Sequence, residues 1–160
     1  VEITHVPKDD IDMVARMAKE LGAKLVAVHG ETIVEPVEPG TNEAAVRSAF
    51  VDVLAHPGLI SYEVARLAAE NGVYLEVSAR KGHSLANGHV VNTAREAGAV
   101  TVLDSDAHEP EDLLTLDLVE KIAGGAGLNK EEAHALLQTN PQNLLAKLGF
   151  GPVPASDTRP

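Results

Sequence analysis

The sequence predicts an α/β protein with a parallel sheet, in the form of a (β/α) barrel segment of about five strands. Three observations carry this prediction. Short apolar, β-favouring runs alternate with stretches of helical period, an order that makes neighbouring strands parallel. Three of those runs end abruptly in histidine or Asp-x-His: Val26-Ala27-Val28-His29-Gly30-Glu31, Val53-Leu54-Ala55-His56-Pro57-Gly58 and Val102-Leu103-Asp104-Ser105-Asp106-Ala107-His108. Strand C-termini open onto one shared face, where α/β folds place their chemistry. No Gly-x-Gly-x-x-Gly follows the first strand, which favours a barrel segment over a dinucleotide-binding sheet.

The elements follow in order. Val1–Thr4 reads as a strand. Pro7 opens a helix with Asp9 and Asp10 near its first turn, where negative charge is favoured. Its apolar stripe is Ile11, Val14, Ala18 and Leu21, and Gly22 stops it. Leu25–Val28 is a second strand. Gly30–Thr41, with Pro36 and Pro39 inside it, is long for a connection between strand and helix and reads as a functional loop. Asn42–Phe50 is a short helix and Val53–Ala55 a strand. Ser61 caps a helix running to Gly72. Val73–Val77 is a strand, Ser78–Ala86 a polar loop, Asn87–Ala97 a helix ending at Gly98, and Val100–Leu103 a strand. The rest is helical: about Asp112–Ala123, then Asn129–Gln138 with Asn129 and Glu132 as a capping box, then a short helix from Asn140-Pro141. Residues 1–149 form one domain and 150–160 a tail expected to fray.

Composition narrows the function. The chain is 44% hydrophobic but holds only two Phe and two Tyr, so the core is aliphatic. A net charge of −11 disfavours a nucleic-acid surface, which needs clustered Lys and Arg. No run approaches a membrane span, so no membrane partner is expected. With no cysteine, disulfides and thiolate ligands are excluded, and with no charged-then-apolar leader the expected location is the cytoplasm. The chain begins inside a strand, which suggests a fragment or a processed product.

Imidazole and carboxylate gathered at strand ends suit zinc, manganese or iron. A lone strand-end histidine reads as a buried residue bonded to backbone; His29 and His56, repeated in the same placement and joined by Asp106 and His108, read as metal ligands. Asp104 shares a strand face with Asp106 and is a candidate to support it. Glu76, between Leu75 and Val77, needs a partner if it points inward, and a supporting role fits it better than ligation. Arg80, Lys81 and His83 form a basic cluster on a strand-following loop and are candidates to bind a phosphorylated substrate, since guanidinium matches phosphate in a bidentate fashion. His5 and His89 are weaker candidates. His134 reads as a surface residue, and Glu31, Glu35 and Glu38 as loop charges.

The strings Val1-Glu2-Ile3-Thr4-His5, His29-Gly30-Glu31-Thr32-Ile33, Ala55-His56-Pro57-Gly58, Leu75-Glu76-Val77, Lys81-Gly82-His83-Ser84 and Ser105-Asp106-Ala107-His108, in this order and spacing, resemble a PHP (polymerase and histidinol phosphatase) domain of the histidinol-phosphatase-like branch. The resemblance implies a distorted, TIM-like (β/α)7 barrel with a multinuclear metal centre. By position, Glu2 corresponds to the carboxylate bridging two metals, His29 and His56 to ligands of the second metal, Asp106 to a ligand of the first and His108 to a ligand of the third. Asp106 and His108 are accordingly the candidate catalytic pair. The family's opening His-x-His strand, its further His and its Asp-His have no counterpart here, so only the site of Glu2, His29 and His56 keeps all its protein ligands.

The implied activity is hydrolysis of a small phosphomonoester by metal-bound hydroxide, with divalent Zn, Mn or Fe, weakened by the missing ligands. Two rivals stand beside it. One is a non-catalytic PHP-like interaction module. The other is a metallohydrolase of amidohydrolase type, which calls for an early His-x-His and a bridging lysine; Lys24 and Lys81 are the lysines near strand ends and neither is placed for that. An open set of strands leaves unpaired edges, so a homo-oligomer or a completing chain is expected.

Overall fold

In the computed structural model, which describes residues 1–151, five parallel strands stand side by side in chain order. They are β1 (Glu2–Ile3), β2 (Ala27–His29), β3 (Val53–Ala55), β4 (Tyr74–Ser78) and β5 (Thr101–Asp104). Each strand pairs only with its sequence neighbours, through registers such as Glu2 with Ala27, Ala27 with Val53, and Glu76 with Val102. The sheet is open, and β1 and β5 are its two edges among the described residues. Residues 152–160, most of the sequence-assigned tail, lie outside the described residues.

Four helices fill the crossovers: α1 (Ile11–Glu20), α2 (Thr41–Arg47), α3 (Tyr62–Asn71) and α4 (Asn87–Ala97). They bury one face of the sheet, where Ile3, Val28, Leu54 and Leu75 meet Ile11, Ala15, Val46, Ala65 and Val90. The small size of Ala15, Ala45, Ala65 and Ala68, each 0% exposed, brings these helices close to the strands. Ser61 accepts a hydrogen bond from the Val64 N–H and so starts α3.

The other face follows from the period of two. Ala27, Val53, Tyr74 and Val102 point there, and at the strand N-termini Leu144 covers them from α7 (Asn140–Lys147). Before it come α5 (Leu116–Gly125), α6 (Lys130–His134) and a π-helical turn, Ala135–Thr139. The capping box at Asn129 and Glu132 is formed in both directions. A cavity of about 280 Å³ runs along this face from Glu2, His56, Glu76 and Asp106 down to Val53 and Leu144.

Three local expectations shift. Leu21 is 87% exposed rather than part of the α1 stripe, because α1 ends one residue earlier and Ala15 takes the buried position. The helix expected over Asp112–Ala123 begins later, at Leu116, with Thr115 as its cap, and Pro110–Asp112 forms a separate 3-10 turn. The helix expected over Asn129–Gln138 changes hydrogen-bond period at Ala135. At the end of the sheet opposite the ligands, buried Asp52 accepts from the Val26 N–H at 2.9 Å and pairs with Lys19, locking the start of β3 to α1.

Candidate metal centre

Glu2, His29 and His56 arrive from three consecutive strands and converge. Glu2 Oε1 lies 3.6 Å from His29 Nδ1 and 3.6 Å from His56 Nε2, and the two nitrogens are 3.0 Å apart. With bonds of about 2.1 Å, donors around a tetrahedral or octahedral cation stand roughly 3.0–3.4 Å apart. The triangle therefore has the size of one face of such a site. Both rings are buried, while Glu2 is exposed on the edge strand. The Glu2 carboxyl is held below the usual carboxylate range: the hydrogen bond with the His29 side chain does most, against burial, with the positive character of His56 adding to it.

Behind His56 sits Glu76, itself buried. Its Oε2 accepts the His56 backbone N–H at 2.7 Å and lies 3.0 Å from His56 Nδ1. A carboxylate on the far nitrogen of a ligating imidazole fixes the tautomer that offers Nε2 to a cation. Burial works to lower the His56 pKa, but the Glu76 carboxylate outweighs it and the ring titrates above its ordinary value. His29 Nε2, His56 Nδ1 and Glu76 Oε1 are buried without hydrogen-bond partners, His56 Nδ1 despite its 3.0 Å approach to Glu76 Oε2. Buried polar atoms are rarely left so, and the cluster could hold a charged guest. The donors present thus fit a divalent cation.

A second group, His56, His83 and Asp106, has donor atoms within 4.8 Å of one another. His83 is buried; its Nδ1 shares a 2.7 Å hydrogen bond with the Thr32 hydroxyl, and its ring stacks on His56 at 4.2 Å between centroids and 12° between planes. Burial, reinforced by His56, pushes its pKa down. The sequence grouped His83 with Arg80 and Lys81 as a candidate substrate contact; the structure seats its ring in the second donor group, stacked on His56. Lys81 is exposed on the same loop.

Arg80 joins the loops after β4 and β5. Its Nε is 3.2 Å from Asp106 Oδ2, its Nη1 donates to the Asp106 carbonyl at 2.9 Å, and Nη1 also meets His108 Nδ1. His108 is exposed at the rim, its Nδ1 2.9 Å from the Asp106 carbonyl oxygen. Asp104 accepts the N–H groups of Ser105 and Asp106, which shapes the turn that presents Asp106. Of the weaker candidates, His5 lies 5.8 Å from His29 between ring centroids, His89 is tied to the Ile60 carbonyl, and His134 is exposed.

Two features escaped the sequence. His5, His56 and Asp106 all have positive φ (53°, 29° and 46°), a strained conformation for residues other than glycine that clusters at functional sites. No local pattern signals it. Glu31 is more than a loop charge: its carboxylate accepts the N–H groups of Gly40 and Asn42, and its own N–H donates to Asn42 Oδ1. Asn42 Nδ2 in turn donates to the Pro57 carbonyl, so the loops behind His29 and His56 are bound together. Glu31 lies ten residues ahead of α2, so no local pattern signals this role.

No family model matches the chain. Over 148 residues it is 46% identical to an uncharacterised protein of Methanocaldococcus jannaschii, covering 92% of this chain and 68% of that one. It is 32% identical over 154 residues to proteins named probable phosphatase in Shewanella halifaxensis and in Shewanella pealeana, covering 87% of this chain and 60% of each. The chain therefore spans about two thirds or less of these relatives. Among solved structures it resembles one described as an amidohydrolase (TM-score 0.69, 20% identity, 91% of this chain and 42% of that one). It also resembles a chain in the cryo-EM structure of archaeal ribonuclease P with mature tRNA (TM-score 0.61, 19% identity, 100% and 76%). At those identities the likeness is one of fold. No helix among the described residues is long and apolar enough to cross a membrane.

Proposed function

The chain belongs to the family of the Methanocaldococcus jannaschii protein, and from that premise we propose that it is the metal-holding part of a cytoplasmic phosphoesterase that hydrolyses a small phosphomonoester. The observation that carries the reading is the triangle of Glu2 Oε1, His29 Nδ1 and His56 Nε2 with Glu76 behind it. The phosphatases at 32% identity support the reaction class, and the likeness to an amidohydrolase fold supports a (β/α) barrel of PHP type in the complete protein.

Glu2, His29 and His56 would hold zinc, manganese or iron. When bound, the cation supplies positive charge beside the phosphoryl oxygens and lowers the pKa of nearby water towards about 7. The other roles fall to the chain. Glu76 holds His56 in the tautomer that offers Nε2. Arg80, Lys81 and His83 line the approach of the phosphoryl group, and Asp106 with Asp104 shapes the floor beneath it. His108, exposed at the rim, would hand a proton to the departing oxygen. The two open sheet edges and the apolar cavity between them favour a homo-oligomer or a completing chain.

Metal stoichiometry and hydrolysis of an aryl phosphate, measured on one sample, test this. One tightly held cation per chain with weak, chelator-sensitive phosphate release is the expected result. Brisk turnover untouched by chelator refutes the assignment of the site. Metal binding with no phosphate release from an oligomer carrying a completing segment returns the non-catalytic interaction module.

A further inference from the structure

The two donor groups differ in what surrounds their carboxylates. Glu2 faces two imidazoles and, among the described residues, has no Lys or Arg partner. Glu76 adds a second carboxylate behind His56. In the other group the single carboxylate already has a cation: Arg80 Nε is 3.2 Å from Asp106 Oδ2, while Nη1 grips the carbonyl of the same residue. The acidic groups nearby do not offset this. Asp112 lies 3.8 Å from Arg80 Nη1 but spends its Oδ2 on the N–H groups of His108 and Glu109. Glu35, 3.7 Å from His83 Nε2, is on an exposed loop.

The two groups differ less in spacing than in charge. The donors of the first group stand 3.0–3.6 Å apart. In the second, His83 Nε2 stands 3.7 Å from Asp106 Oδ2, a spacing that bonds of about 2.1 Å can span. His56 belongs to both groups. Once it serves the first, a second cation would rest on His83, Asp106 and an incoming anion. Arg80 is equipped to meet such an anion. Its side chain is 30% exposed, and its Nη2 has no partner among the described residues.

We propose that Arg80 is a positioning residue that withholds the Asp106 carboxylate from cations, and that a phosphoryl-type anion, by drawing the guanidinium to itself, releases Asp106 to bind a second divalent ion. The first site is preformed and the second is conditional. Anion and second cation then strengthen each other's binding by the same factor, as linkage requires. The inference rests on the metal-dependent reading of both groups, but not on turnover.

The test is calorimetric titration of Mn²⁺ into the full chain, with and without inorganic phosphate, and with sulfate as an anion that offers no ester. The wild type should show one tight event, lost in His29→Ala, and a weak second event. Arg80→Gln should strengthen the second event about tenfold without any anion. Either anion should do the same in the wild type and little in Arg80→Gln, and Asp106→Asn should abolish the gain. Arg80→Lys should fall between. An unchanged or weaker second event in Arg80→Gln overturns the proposal, as does an anion effect equal in the two proteins. If Arg80→Gln fails to fold by circular dichroism, the wild-type anion arms decide alone. Coupling that persists with no phosphate release from an aryl phosphate leaves the latch standing and removes the phosphoesterase reading.

Discussion

Gly58→Ala is the substitution whose effect the structure sets most tightly. Gly58 follows the His56-Pro57 turn with φ of +60°, and a Cβ built there would stand 2.0 Å from the Glu31 carbonyl oxygen and 3.1 Å from Thr32 Cα. The left-handed backbone alone costs an alanine about 1–2 kcal/mol. The overlap is with backbone, so it is relieved only by moving the loop after β2 by more than an ångström. That loop holds Glu31 to Gly40 and Asn42, and Asn42 to Pro57, through four hydrogen bonds of 2.8–3.0 Å. Losing two of them adds about 2 kcal/mol at roughly 1 kcal/mol each. The expected destabilisation is therefore about 3–4 kcal/mol, a large part of the 5–15 kcal/mol typical of a domain. Gly98→Ala is the control. Gly98 has φ of +72° but nothing within 4 Å of a built Cβ, so it carries the backbone cost alone. Urea unfolding of both variants gives the comparison through midpoints at constant slope. Gly58→Ala should lose about 2 kcal/mol more than Gly98→Ala, and its metal affinity should fall because His29 and His56 hang from the displaced loops. Equal destabilisation of the two would refute the claim that these loops are locked.

Three further outcomes are expected. His29→Ala and His56→Ala should each lower metal affinity at least tenfold, read by titration, and retention of full affinity in either breaks the triangle. Glu76→Gln, which preserves shape and removes the charge behind His56, should cost 10- to 100-fold in metal affinity while circular dichroism stays native. Glu132 has its carboxyl held low, first by the Arg95 side chain and then by the Asn129 backbone N–H. A depressed carboxyl stabilises the fold above its unfolded pKa, and that support fades as pH falls through the folded value. Glu132→Gln should lower neutral stability slightly, since the pair is exposed, and should converge with the wild type in acid, which flattens the acid limb of the stability curve.

What the sequence conveyed was local. The residues of β3 and α4, the Ser61 cap and the Asn129 capping box follow from patterns a few residues long, and the structure forms them where those patterns lie. The strand-ending histidines were legible because a parallel strand delivers its last residue to a common face. Glu76 was legible as a buried charge needing a partner, though the partner, His56, lies 20 residues away. Through-space facts were hidden. Burial of His83 comes from Thr32 in another loop, and engagement of Arg80 comes from Asp106 in the loop after β5. Positive φ at His56 and Asp106 is imposed by bonds from Glu76, Asp104 and Arg80 rather than by the residues themselves.

Strand β1 is two residues long and lies at the edge of the sheet among the described residues, yet it carries one corner of the metal triangle. Its hold on β2 is a short ladder, extended by backbone hydrogen bonds of Val1 with Leu25 and Ala27. Such an edge should open far more readily than β3 or β4, and its amides should exchange with solvent early. A cation gripping Glu2 together with His29 and His56 ties that loose edge to the two strands beside it. Loading would then register as slowed amide exchange at Ile3 and Thr4, and the rate at which the ion escapes would be the rate at which the margin of the sheet peels away.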